Sequence, residues 1–194
     1  MSVPSSTKTG FNRVRISEGL EVDGPAIFEA GFAGLSNPTG LSNKDVPVAT
    51  TGTDTTPVVG TQYVTSLFVP VTFTITNVNY LIGSVGGTDR VYAVVYSATG
   101  AVLGSSTVAS GGTVVGTAAN IQTLALTTPI TVNGGQRVFI GISINGTTAR
   151  LRTVPAHCQN GILGGTVSQT HGTVAAITAP ATFTANTAPY IFVN

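Results

Sequence analysis

Few side chains in this 194-residue chain can do chemistry, and their spacing limits what they can do. His157, Cys158 and His171 are the soft metal-ligand candidates. Their spacing fits no zinc pattern, and a tetrahedral site would need a fourth donor. The histidines are expected to serve as hydrogen-bonding residues of loops or core. Cys158, the single cysteine, reads as a small buried apolar residue, and one thiol cannot form an intrachain disulfide. A nucleophile triad needs an orienting acid. Beyond the N-terminal region only Asp54 and Asp89 could supply one, because no Asp or Glu follows Asp89. That same scarcity removes the paired carboxylates that glycoside hydrolysis uses. Asp89 stands beside Arg90 after Gly86-Gly87, where a local ion pair or turn hydrogen bond is the expected role.

Three further motifs carry little chemistry. Gly111-Gly-Thr-Val-Val-Gly116 lacks the lysine and following helix of a phosphate-cradling loop and reads as a turn. Asn145-Gly-Thr147 fits a glycosylation acceptor, but the start of the chain lacks the basic-then-apolar plan of a secretory signal. Arg150 and Arg152 fall on one face of an expected strand, with Arg137 across an expected hairpin. Such a row could grip a carboxylate of a neighbouring subunit or simply form a solvated sheet face. The chain is therefore expected to be non-catalytic, with no cofactor and no metal.

Composition narrows the partners. Charged residues make up 8% of the chain, against roughly 25% in ordinary globular proteins. A net charge of +1 without a Lys/Arg cluster excludes a nucleic-acid partner, which needs clustered cations to release phosphate counterions. The longest apolar runs, such as Val91 to Tyr96, are strand-length, so no membrane span is expected. With no Trp and 7% aromatic residues, the flat platforms that sugar sites commonly use are scarce.

The elements that must position these residues differ along the chain. Of the 8 Lys and Arg and 7 Asp and Glu, only Asp89, Arg90, Arg137, Arg150 and Arg152 lie beyond Asp54. In residues 1–35, an N-terminal arm, the even positions Val14, Ile16, Leu20, Val22, Ala26, Phe28 and Phe32 are apolar, whereas Arg13, Arg15, Glu21, Asp23 and Glu29 are odd, with Glu18 and Ile27 as the main exceptions. Alternation of this kind is that of a β-ribbon with one buried face. A short helical turn opened by Pro25 is the competing reading. A narrow ribbon cannot bury its apolar face against itself. It must fold back along the body or converge with copies of itself, and closed symmetry lets one apolar face serve every subunit.

The stretch Gly19-Leu-Glu-Val-Asp-Gly-Pro-Ala-Ile-Phe28 resembles the GLxVxGxAxF phrase that recurs in trimeric fibres and appendages of tailed-bacteriophage virions. The chain carries it once, which favours a short stalk or anchor over a long shaft. The resemblance implies a homo-oligomer, a trimer, built through those seven apolar residues.

Residues 36–59 read as an irregular connector, rich in Ser, Asn, Thr and Pro, with Leu41, Val46 and Val48 as anchoring points. Residues 60–194 form a succession of β-branched and aromatic runs separated by glycine turns. Tyr63 to Val69 is followed by Val71 to Ile82, whose apolar phase shifts near Asn77 as a β-bulge would shift it. Val91 to Tyr96, apolar on both faces, reads as a central strand that turns through Ser97-Ala-Thr-Gly100. Ile121 to Leu126, Ile130 to Val132 and Val138 to Ile144 come next. Asn145-Gly146 is expected to close a hairpin back through Leu151. Further strands are expected near 162–167, 174–177, 181–184 and 190–193.

The fold expected from this spacing is all-β, an antiparallel jelly-roll-type sandwich preceded by an extended β-rich arm. The hairpin joining Arg137–Asn145 to Thr147–Arg152 resembles the last hairpin of compact β-sandwich domains in phage capsid-decoration and fibre proteins. Together the resemblances imply a virion structural protein, a trimeric capsid decoration (cement) protein that contacts the major capsid protein or another virion protein. A fibre tip that binds a host-surface glycan is the alternative, since such sandwiches host both jobs.

Overall fold

The computed structural model describes residues 41–42, 52–155 and 162–194, all within one unit spanning Ala33–Asn194. The expected assembly residues Val14, Ile16, Leu20, Val22, Ala26, Phe28 and Phe32 lie outside the described residues, as do His157 and Cys158.

Period-two patterning becomes two antiparallel sheets. The strands are β1 (Leu41–Ser42), β2 (Thr53–Thr55), β3 (Thr61–Val69), β4 (Phe73–Leu81), β5 (Arg90–Tyr96), β6 (Val102–Ser105), β7 (Thr113–Val114), β8 (Ile121–Val132), β9 (Gln136–Ile144), β10 (Leu151–Thr153), β11 (Gly164–Ser168) and β12 (Ile191–Val193). One sheet runs β11-β3-β9-β5-β6, with β7 also on β5; the other runs β1-β12-β4-β8; β10 and β2 form a separate ribbon. The architecture is all-β and antiparallel, consistent with a β-sandwich. Among the described residues no helix is long and apolar enough to cross a membrane.

Alternation assigns the core. Tyr63 and Leu67 of β3, Val91, Ala93 and Val95 of β5, and Val138, Ile140, Ile142 and Ile144 of β9 face Ile75, Val78 and Tyr80 of β4, Leu124 and Val132 of β8, and Ile191 and Val193 of β12. Each such aliphatic side chain contributes roughly 1.5–3 kcal/mol on full burial. The phase shift near Asn77 is a register irregularity between Ile75 and Asn77. There the N–H groups of Thr76 and Asn77 both donate to the main-chain oxygen of Asn194, at 2.7 and 2.8 Å. One carbonyl thus serves the extra residue of the bulge. Opposite it, β8 carries Pro129 on a sheet edge, where a missing N–H is tolerated.

The other face of the larger sheet is also apolar. Val64, Tyr92, Val94, Tyr96 and Phe139 form a second cluster, covered by Leu163, Val167, Val174, Ile177 and Ala179. Residues 174–177 and 181–184, expected as strands, form no strand. They pass over or beside a sheet face, and their order comes from contacts such as Ile177 N–H to Gly100 O at 3.0 Å. Gly100 itself turns β5 into β6 at φ 86°, a left-handed conformation that costs glycine little.

Two other expectations are corrected. Asn145-Gly146 closes no hairpin between β9 and β10, because β9 is already paired along both edges, with β3 and with β5, and β10 pairs with β2 instead. The connector expected to be irregular contributes β1 and β2 to sheet structure. As the sequence indicated, Val91–Tyr96 is a fully buried central stretch between β9 and β6.

Gly141, in the middle of β9, leaves room for Gln62, whose side chain would lie 2.5 Å from an added Cβ. Overpacking a buried site of this kind costs about 1–3 kcal/mol. Gly141→Ala is expected to lower stability in urea titrations by that amount. Adding Gln62→Ala should make the double variant less destabilised than the two single effects summed; strict additivity would refute the contact.

Candidate functional site

The titratable groups sort into three separate clusters. The first is built by the β2–β10 ribbon, whose register sets Asp54 opposite Arg152. Their ion pair spans 3.6 Å. Asp54 also accepts the Ser84 backbone N–H at 2.8 Å and the Ser84 hydroxyl. Arg152 donates to Gly52 O at 3.4 Å. Arg150 folds over its own loop, donating to Thr147 O at 2.7 Å and Thr148 O at 3.2 Å. Burial alone would raise the Asp54 pKa, but the two Ser84 hydrogen bonds and the charges of Arg152 and Arg150 outweigh it and hold the carboxyl below its ordinary 3.8. The structure therefore brings Arg150 and Arg152 to one place, around an acid of the same chain.

The second cluster ties the loop after β9. Asp89 accepts the N–H groups of Thr148 at 3.0 Å and Ala149 at 2.9 Å. Asn145 accepts the Arg90 N–H through Oδ1 at 2.7 Å. Asp89 thus makes turn hydrogen bonds rather than an ion pair with Arg90, whose guanidinium donates to Gly112 O at 3.0 Å.

The third cluster holds the described histidine. His171 Nε2 lies 2.7 Å from Gly111 O, and Nδ1 lies 3.0 Å from Ser143 Oγ. A carbonyl can only accept, so Nε2 carries the proton and Ser143 donates to Nδ1. A hydroxyl bonded to an imidazole has the outline of a nucleophile pair. However, Ser143 is 0% exposed, and the third partner is a carbonyl where a triad places a carboxylate. The imidazole packs against Tyr92 at 5.0 Å between centroids, and the Tyr92 hydroxyl donates to Thr173 O at 3.0 Å. This cluster pins the covering segment to the sheet. Asp54 and His171 share no hydrogen bond. Among the described residues, no group of three His, Cys, Asp or Glu side chains is placed to hold a metal ion.

A buried polar network that periodicity could not reveal lies nearby. The Tyr96 hydroxyl is 2.6 Å from Gln62 Oε1 and 3.1 Å from Gln169 Oε1. Burial, only partly offset by these two bonds, pushes the phenol up to about 12.

Arg137 stands apart from the other arginines. It is the second residue of β9, directly opposite Phe68 of β3, at the end of the strand away from the Asn145 loop. It lines a surface depression of about 490 Å³ with Phe68, Phe139, Leu163 and Pro180. The depression begins where the cover over the second cluster ends. Its signal in the sequence is an exception to alternation: Val64 and Phe68 make the outward face of β3 apolar.

The chain matches no family model and no curated protein.

The depressed pKa of Asp54 gives a signed expectation. A carboxyl whose folded pKa lies below its unfolded value supplies stability above the unfolded pKa and loses it as pH falls through the folded value. Unfolding free energy should therefore drop below about pH 4. Asp54→Asn should flatten part of that slope while lowering stability at pH 7; an unchanged acid limb would show that the Ser84 and Arg152 contacts do not form in solution.

Proposed function

We propose that the chain is a non-catalytic structural protein of a tailed-bacteriophage virion, a homotrimer that decorates the capsid and contacts the major capsid protein or another virion protein. The observation that carries this reading is the employment of the body's carboxylates. Asp54 and Asp89 are both taken up in tying the chain's own loops, so the acids a reaction would need are spent on architecture.

The strand order supports the finer reading of the sandwich as a jelly roll. Four antiparallel pairs nest within one another along the chain: β5 with β6, β4 with β8, β3 with β9 and β1 with β12. They distribute into a β1-β12-β4-β8 sheet and the β3-β9-β5-β6 part of a sheet that β11 and β7 extend. Wrapping nested pairs into two four-stranded sheets is the plan of a jelly roll, an architecture common in viral capsid and lectin domains. The fold alone does not choose a job. The resemblance of the phrase Gly19–Phe28 to trimeric phage fibres, and the alternating face Val14, Ile16, Leu20, Val22, Ala26, Phe28 and Phe32, favour an assembly role.

Light scattering on the full chain is expected to give three times the 19.6 kDa chain mass, and Phe28→Asp is expected to shift that mass toward a single chain. A single-chain mass for the unaltered protein at micromolar concentration would remove the trimer. Quantitative mass spectrometry of a purified virion should find the polypeptide at a fixed ratio to the major capsid protein.

A further inference from the structure

The depression at Phe68 and Arg137 combines exposed apolar surface with a positive charge that pairs with no described residue. Phe68 is 54% exposed and stands with Phe139, Leu163 and Pro180 in the lining, so apolar surface is gathered in one depression rather than scattered singly. Each of the other described arginines is engaged: Arg90, Arg150 and Arg152 donate to main-chain carbonyls. Among the described residues the ion pair is that of Arg152 with Asp54, and Asp89 is held by Thr148 and Ala149. No described carboxylate is left for Arg137.

We propose that this depression is a docking site for an extended acidic segment of another protein. An Asp, Glu or terminal carboxylate of that segment pairs with the Arg137 guanidinium, and a neighbouring aliphatic or aromatic side chain packs on Phe68 and Pro180. Charge complementarity decides for an acidic partner, because a guanidinium beside apolar walls makes stronger, better-directed bonds to a carboxylate than it does in open water. The lining decides for a peptide over a sugar. Apart from Arg137, the wall is Phe, Leu, Ala, Pro and Gly, so most hydroxyls of a bound glycan would lose water without gaining a side-chain partner. The open shape suits a segment lying across the surface rather than an enclosed small molecule. The site goes beyond the virion reading and stands or falls independently of it.

The test uses the ¹⁵N-labelled full-length protein and two synthetic probes, acetyl-ALELA-amide and acetyl-ALQLA-amide, followed by amide chemical shifts. The acidic peptide is expected to move the signals of Phe68, Gly135, Arg137 and Ala181, and to bind about tenfold more tightly than its neutral twin, the ratio one charge-assisted bond supplies. Arg137→Gln should abolish that difference and leave thermal unfolding unchanged. Phe68→Ser should weaken both peptides alike. Equal affinity of the two probes, absence of shifts at millimolar peptide, or an acidic preference that survives Arg137→Gln would overturn the proposal. So would tighter binding of maltohexaose at the same residues, which would make the site a sugar site.

Discussion

The main-chain groups of β9 are shared between β3 along one edge and β5 along the other, and its side chains enter two clusters on opposite faces of the sheet. From Phe139 to Ser143 such a strand has no hydrogen bond left to offer and no face left for water. The chain beyond Asn145 is arranged around that saturation. It cannot return along β9, so Leu151–Thr153 takes β2 as its partner, and Gly164–Ser168 adds to the far edge of β3. Segments that find no edge become a cover over the outer apolar face, fastened through Gln169 to Gly60 and Ile177 to Gly100.

A sheet buried on both faces needs polar groups only where they can be answered from within. Gln62, 0% exposed, has its Oε1 answered by the Tyr96 hydroxyl while its buried Nε2 has no partner among the described residues, and Gly141 gives the side chain a place to lie. Tyr80, in the main core, donates to Gln122 at 2.7 Å, and burial raises its pKa. Gln122 in turn donates to Val114 O and accepts the N–H of Gly116, so one buried phenol also fixes the loop that carries β7. These chains of bonds give the interior a unique register that apolar packing alone specifies less sharply. In the smaller sheet Thr123 likewise donates to Asn79 and Asn79 to Asn194.

Much of the body was legible because period-two patterning is a direct consequence of strand geometry. The central strand Val91–Tyr96, the phase shift near Asn77 and the alternating face of Val138–Ile144 all emerge from counting alternate residues. What misled was chemistry that means different things in different surroundings. Asn145-Gly146 signals a tight turn, but a turn closes a hairpin only when the first strand has a free edge, and edge occupancy is a property of the whole sheet. The runs at 174–177 and 181–184 carry the β-branched composition of strands, yet the first lies over a face where apolar contact satisfies it, and the second meets β11 only through a single parallel bridge, Gly164 to Phe183. Arg150 and Arg152 share the surroundings of Asp54 rather than one strand face, since β10 begins at Leu151; Arg137 lies elsewhere, because its place across a hairpin presupposed the pairing that β9 cannot make. The arrangement of Asp54 with Ser84, separated along the chain and joined only by topology, left no trace in local sequence.

The scarcity of charge links the interior to the surface. With a net charge of +1 and 8% charged residues, copies of the chain meet almost no electrostatic repulsion at neutral pH, a condition that favours association over dispersal. Soluble proteins usually hold neighbours off with Lys and Glu; here the exposed strand positions carry Thr and Asn, exemplified by the Thr74–Thr131 pair at 3.0 Å. Hydroxyl and amide groups keep such a face hydrated without giving it a field. Contacts made through it are short-ranged and only weakly screened by salt, so shape and apolar fit, rather than long-range steering, must select the partner. Against that neutral background a single guanidinium such as Arg137, which pairs with no described carboxylate, carries more orienting information than it would on an ordinary charged surface.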